Sequence, residues 1–375
     1  MSELINSRDN RATIRWKLLT GASALALTAY VSSGSMARAE DASHPLIWLE
    51  LGGQFDLLTE PSDTWTPPNL PPPITHPVTG ILGQKPRIGY DMDGAITVQP
   101  EGSDWSISAA IKYGKAKHGP RSAHDQTYQT ENCHGIHYHC LTTYAFTNLN
   151  SVEETKHLIL DFQAGKDVGL GLFGQHDDST IKIGVRMAQF RERAGGHMSA
   201  ATGVPSKYAG LYQGDFFDAA MNAQRSFSGI GPSIAWSGSV PIAGSLEDGL
   251  AFDWGANAAL LFGRQRTKVR THTEDKEITG YTVVYTPSHL AYDYYPHTAQ
   301  VTNVPHTFVR NKRVMVPNLG GTVGFSYRLG GEAKISMGYK ADFFFGAIDG
   351  GIDTAKKENR GFYGPYASIS IGLGN

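Results

Sequence analysis

Apolar and polar residues alternate with a period of two over much of this chain. Between 333 and 347 one parity collects Ala333, Ile335, Met337, Tyr339, Ala341, Phe343, Phe345 and Ala347, while the other carries Lys334, Ser336, Gly338, Lys340, Asp342, Phe344 and Gly346. The stretch 250–263 sets Leu250, Phe252, Trp254, Ala256, Ala258, Leu260 and Phe262 against Asp253, Gly255, Asn257, Ala259, Leu261 and Gly263. Further on, Ala367, Ile369, Ile371 and Leu373 oppose Ser368, Ser370 and Gly372. Successive side chains of a strand point to opposite faces, so each segment predicts a strand with one apolar face. Read this way, the chain holds ten strands, near 46–58, 87–98, 104–117, 157–173, 179–193, 226–241, 249–270, 312–329, 333–348 and 361–374. A hairpin extension at 280–285 would raise the count to twelve. Short connections at 99–103, 174–178, 242–248 and 330–332 alternate with long ones at 59–86, 118–156, 194–225, 271–311 and 349–360.

The apolar parity is large and aromatic on nearly every strand, whereas the other is Gly, Ser and isolated charge, too small and polar for a dry core. A water-soluble sandwich needs the reverse. The expectation is therefore an all-β transmembrane antiparallel β-barrel with its apolar face toward lipid, short periplasmic turns and long outer loops. Composition agrees: 43 Gly, 16 Phe, 17 Tyr and 6 Trp with 18% charged residues suit strands and loops, since Gly in a helix costs about 1 kcal/mol. A formal net charge of -2 argues against a nucleic-acid partner.

The first residues change the picture of where the chain goes. Arg11, Arg15 and Lys17 precede an apolar run at 18–31 and the small-x-small sequence Ala37-Arg38-Ala39. That run is shorter than the roughly 20 residues a spanning helix needs, so 1–39 reads as a cleavable signal peptide and 40–375 as a single barrel domain in the outer membrane of a Gram-negative cell.

The inward parity collects the candidate lumen residues Glu50, Asp56, Asp91, Asp93, Lys112, Asp161, Asp167, Lys182, Arg186, Asp253, Arg328, Lys334, Lys340 and Asp342. Counting from the short turns sets Asp91 opposite Lys112 and Asp167 opposite Arg186, where cross-strand charge pairs are favourable. Two readings stand: a hydrated lumen whose charges select solutes, or charges that neutralise one another and plug a narrow barrel. Lys166 falls on the lipid-facing parity. Beyond the apolar band, Lys115, Lys117, Arg191, Arg193, Arg264, Arg266, Lys268, Arg270 and Arg313 continue the outward parity. Such a rim suits the phosphates and acidic sugars of lipopolysaccharide. Cys133 and Cys140 bracket a His-rich tract, with His118, His124 and His157 nearby. An oxidising export route favours a disulfide between them, and a Cys/His metal site is the alternative. No G-x-S-x-G elbow occurs after the signal segment, and the histidines fall almost entirely in expected loops, so neither an enzyme nor a cofactor or metal is expected.

The segments Phe227-Ser228-Gly229-Ile230-Gly231-Pro232 and Asp253 through Gly263 resemble the centre of the Legionella-type major outer-membrane protein family. The resemblance implies a pore-forming barrel. The functional expectation is thus a porin-like passive channel for small polar solutes, with a structural or adhesive barrel of plugged lumen as the alternative and an outer-membrane hydrolase behind both.

Overall fold

A computed structural model describes residues 47–58, 87–100, 103–130, 142–168, 178–205, 212–213, 215–244, 248–286, 291–329, 332–352 and 354–373. The expected signal segment 1–39 and the Cys133/Cys140 tract lie outside these residues. Eleven strands run in chain order as β1 (Ile47–Leu58), β2 (Arg87–Val98), β3 (Trp105–Thr130), β4 (Thr142–Asp167), β5 (Asp178–Pro205), β6 (Tyr212–Gln213), β7 (Asp215–Gly244), β8 (Gly249–Thr286), β9 (Ala291–Leu329), β10 (Ala333–Asp349) and β11 (Lys357–Leu373). Each long strand pairs antiparallel with its neighbour, and β1 pairs with β11, so ten strands close a barrel. The two-residue β6 pairs only with the end of β5. No described residue is helical.

The outward parity forms a continuous apolar band, because every wall strand contributes to it. Leu51 is 68% exposed, Met92 66%, Ile183 57%, Phe262 55% and Met337 60%, values that only a surrounding hydrocarbon makes favourable. Near the end with short turns, Trp236 and Trp254 meet edge to face at 5.0 Å on this outer surface. Paired indoles at that level suit a lipid–water boundary, where aromatic girdles lie.

Beyond the band the structure departs from the expected loops. Most of the stretches 118–156, 194–225 and 271–311 continue as strands, so β8 and β9 pair as far as Thr286 and Ala291. The segment 280–285 does pair, but as the tip of β8, and adds no strand. Outside lipid neither face of a ladder must be apolar, so the period-two signal fades while the backbone pairing persists. A second correction concerns Ala347, expected outward. Gly346 adopts φ +63 and the β10–β11 register shifts between Phe344 and Ile348. This bulge turns Ala347 and Ile348 into the barrel, where they are 0% and 1% exposed.

Candidate functional site in the barrel lumen

Parity placed the inward charges correctly, yet the register decides which of them meet. Arg186 on β5 faces Asp161 on β4, with Nε donating to Asp161 Oδ1 at 2.7 Å and the second guanidinium nitrogen to Oδ2 at 2.8 Å. The expected Asp167–Arg186 pair is therefore wrong: Asp167 pairs with Thr180. The cause is a hairpin centred nearer the N-terminus than assumed, since β4 ends at Asp167 instead of running to 173. Asp167 lies instead at the mouth of the lumen. Asp91 stands opposite Gly114, and Asp93 opposite Lys112. Lys112 nonetheless reaches Asp91 diagonally at 3.0 Å.

Arg186 does more than pair with its neighbour. Its guanidinium donates to Asn257 on β8 at 2.7 Å and to Asn318 on β9, and lies 3.7 Å from Asp342 on β10. From the other side, Lys112 donates to Gln54 on β1 at 2.9 Å and lies 3.6 Å from the same Asp342. Two cations thus converge on one carboxylate across the barrel and close its cross-section with a polar belt. Asn257, Asn318 and Gln54 were invisible to a search for charged residues, although inward parity alone would have found them.

Toward the turn end, this belt floors an open polar vestibule of about 630 Å³. Glu50, Asp93, Asp167, Asp253, Lys334 and Lys340 line it. Lys334 pairs with Asp253 at 2.7 Å and Lys340 with Asp93 at 3.1 Å. Lys182 also points inward, where Glu50 is its facing charge.

Toward the long-strand end the lumen turns apolar. Phe190, Phe227, Phe344, Phe362, Leu261, Val316 and Ile348 are all at most 1% exposed and pack as one cluster. Phe190 sits at its centre, 4.7 Å from Phe344, 5.7 Å from Phe227 and 5.6 Å from Phe362 between ring centroids. The sequence reading had no place for this stopper, because these residues share the parity of the polar lumen. Above it, Glu192 is buried between Arg225, at 2.7 Å, and Arg360.

Residues 346–352 fold inward over this layer. Arg225 donates to the Gly350 carbonyl at 2.7 Å, Gln265 to that of Gly346 at 2.6 Å and Thr267 to that of Asp349 at 3.1 Å. Arg310 on β9 grips Asp349 Oδ2 at 2.8 Å and donates to the Ile352 carbonyl at 2.8 Å. Burial alone would push the Asp349 carboxyl up. Hydrogen bonds from Arg310 and from the backbone N–H groups of Lys356 and Gly351 instead hold it below the usual carboxylate range. A carboxyl depressed in the folded state contributes stability above its ordinary pKa and loses it as pH falls through the lowered value. The clamp is therefore a neutral-pH device.

On the outer surface, the predicted basic rim is brought together in part. Cross-strand rows run Arg191–Ser226–Arg266–Asn311 and Gln189–Ser228–Arg264–Arg313 over β5, β7, β8 and β9. They frame a depression of about 720 Å³ just beyond the apolar Ile230, Phe262 and Met315. Arg193, Lys268 and Arg270 extend it upward. Lys115 and Lys117 lie apart on β3, where Lys115 meets Glu154 at 3.2 Å. Lys166 is exposed as expected and lies 4.0 Å from Asp104.

No protein-family model and no curated protein match this chain. Among solved structures it is similar to the translocator domain of the autotransporter NalP from Neisseria meningitidis, at 9% identity and TM-score 0.22, covering 96% of this chain and 97% of that one. It is also similar to the TodX monoaromatic hydrocarbon channel in a mutant form, at 8% identity and TM-score 0.23, over 88% and 91%. A third is the Ralstonia pickettii toluene transporter TbuX, at 10% identity and TM-score 0.17, over 89% and 90%. Likeness this slight carries no argument about activity, and the barrel rests on the chain's own strand pairing.

Proposed function

We propose that the protein is an outer-membrane channel for small polar solutes, held closed in this conformation by the aromatic stopper and the inward residues 346–352. The observation that carries this reading is the polar vestibule, which runs from the turn end to the Arg186 belt and is lined by paired charges of both signs. A purely structural barrel has no need of a hydrated half-lumen. The closing parts also belong together: Phe344 and Ile348 lie on β10 and Phe362 on its partner β11, and the inward residues 346–352 form the end of β10 and continue from it. A movement of that hairpin end would withdraw half the stopper. In planar bilayers the wild type should conduct little at neutral pH, and conductance should rise on acidification below the ordinary carboxylate range. Arg310→Ala, and Phe344→Ala separately, should reproduce the rise at neutral pH. Silence of all three would favour the second reading, a plugged surface barrel, to which the depth of the aromatic layer lends specific weight.

The same reading puts the turn end in the periplasm and the arginine depression at the outer leaflet. There, Arg191, Arg264, Arg266 and Arg313 suit the phosphates of lipopolysaccharide, whose acyl chains would lie along Ile230 and Phe262. Protein purified from native membranes should retain lipopolysaccharide, measured by mass spectrometry. Replacing Arg264 and Arg266 with Ser should strip most of it, and equal retention would refute the site. We read the lumen as non-catalytic.

A further inference from the structure

We infer that Asp56, Asp91 and His157 form a site for one divalent transition-metal cation with zinc-like preferences, buried inside the barrel wall. The three side chains come from β1, β2 and β4, and each offers a ligand atom within 4.8 Å of the others. They are 1%, 3% and 3% exposed. Their convergence is built into the register. Asp91 and His157 both stand opposite Gly114 of β3. A Cβ on Gly114 would collide with the Asp91 carboxylate and the His157 ring, so only glycine there lets the two side chains close over the intervening strand. Phe362, 3.9 Å from the imidazole between ring centroids, backs the histidine.

Three observations point to a cation. Among the described residues no N–H or O–H group donates to either oxygen of Asp56. A buried carboxylate left in that state is costly, and metal coordination is one of the few remedies. His157 Nε2 lies 3.1 Å from Asp91 Oδ2, so that both can address one small ion. Two atoms bound to one zinc at about 2.0–2.2 Å in tetrahedral geometry lie roughly 3.3–3.6 Å apart, close to that separation. Finally, the carboxylates of Asp56, Asp91, Asp93, Asp161 and Asp342 outnumber the cations Lys112, Arg186 and Lys340 in this part of the lumen. Lys112 lies against Asp91 and Asp342, and the one positive charge is shared between them and the more distant Asp56 and Asp93. An imidazole with two carboxylates suits zinc and its neighbours better than magnesium or calcium, which take oxygen ligands.

The rival explanation is a proton shared between Asp56 and Asp91. Chelator-stripped protein, refolded in detergent and dialysed against zinc chloride with excess magnesium, separates the two. One zinc per chain by elemental analysis, with a zinc-dependent rise in unfolding temperature, is expected. Asp56→Asn and His157→Gln should each weaken zinc binding about tenfold or more, by analogy with the loss of supporting groups around metal sites. Replacing the exposed His197, which pairs with Asp218 at 2.8 Å, should change nothing. A variant with Ser at Cys133 and Cys140 and Gln at His134, His137 and His139 removes the competing tract and should keep its zinc. Absence of stoichiometric zinc in the wild type would overturn the assignment whether or not the variants fold. Zinc lost with the tract replacement but retained in Asp56→Asn would overturn it equally.

Discussion

Arg186→Ala should cripple the barrel. Removing the guanidinium strands Asp161 and leaves Asp342 with Lys112 and the more distant Lys340, while Asn257 and Asn318 lose their common donor. Breaking a buried charge pair from one side costs about 3–5 kcal/mol, because the surviving charge stays desolvated. The loss should appear as a lower urea midpoint and as faster loss of the compact band in heat-modifiable gel mobility. A second change, Asp161→Asn, should return a large part of the loss in the double variant, since the two residues form one unit and their effects cannot add. Simple additivity, with little loss in Arg186→Ala, would mean that water fills the belt and that the lumen stands open at this level.

Phe343→Asp should come close in size, by a different route. Phe343 is 36% exposed on the outer face and stacks on Tyr363 at 6.0 Å, inside the apolar band. A charge placed toward lipid costs on the order of 2–4 kcal/mol at the midplane for the worst cases and somewhat less for a carboxylate. Assembly yield into vesicles should fall sharply. Lys340→Gln changes charge at nearly the same height but faces the vestibule, where only the Asp93 pair is lost. It should assemble almost normally, and equal yields for both variants would mean that the two faces of β10 are exchanged.

The face assignment of β10 was legible because the membrane imposes it: within the band every outward residue answers to lipid, and period two follows directly. The ten strands and the inward charges were read on that ground. Four things were not. The strand extensions beyond the band carry no solvent contrast, so Thr142 through Lys156 looked like loop although they pair in register with β3 and β5. Cross-strand partners depend on where each hairpin is centred, and a shift of a few residues exchanged Asp167 for Asp161. The stopper shares its parity with the polar lumen, and only the relative height of Phe190, Phe227, Phe344 and Phe362 reveals that they meet. His157 was placed beside the Cys133 tract by proximity in sequence, whereas β4 carries it inward to Asp91.

The wall is not equally tall all round. β2 pairs with β3 only as far as Ala116, and β10 pairs with β9 only from Asn318 to Leu329, while β3, β4, β5, β7, β8 and β9 climb on together. Among the described residues the ring above the band therefore opens into a curved screen with unpaired edges along β3 and β9. Unpaired edges invite a stranger's strand, and chains commonly blunt them with proline, which has no N–H to offer. β9 carries Pro296 and Pro305 along its rising edge, and β3 carries Pro120 where its pairing with β4 shifts. Among the described residues the upper wall is thus a half-pipe, and on the channel reading proposed above a solute that passed the stopper would leave sideways, over the short rim of β10, β11, β1 and β2.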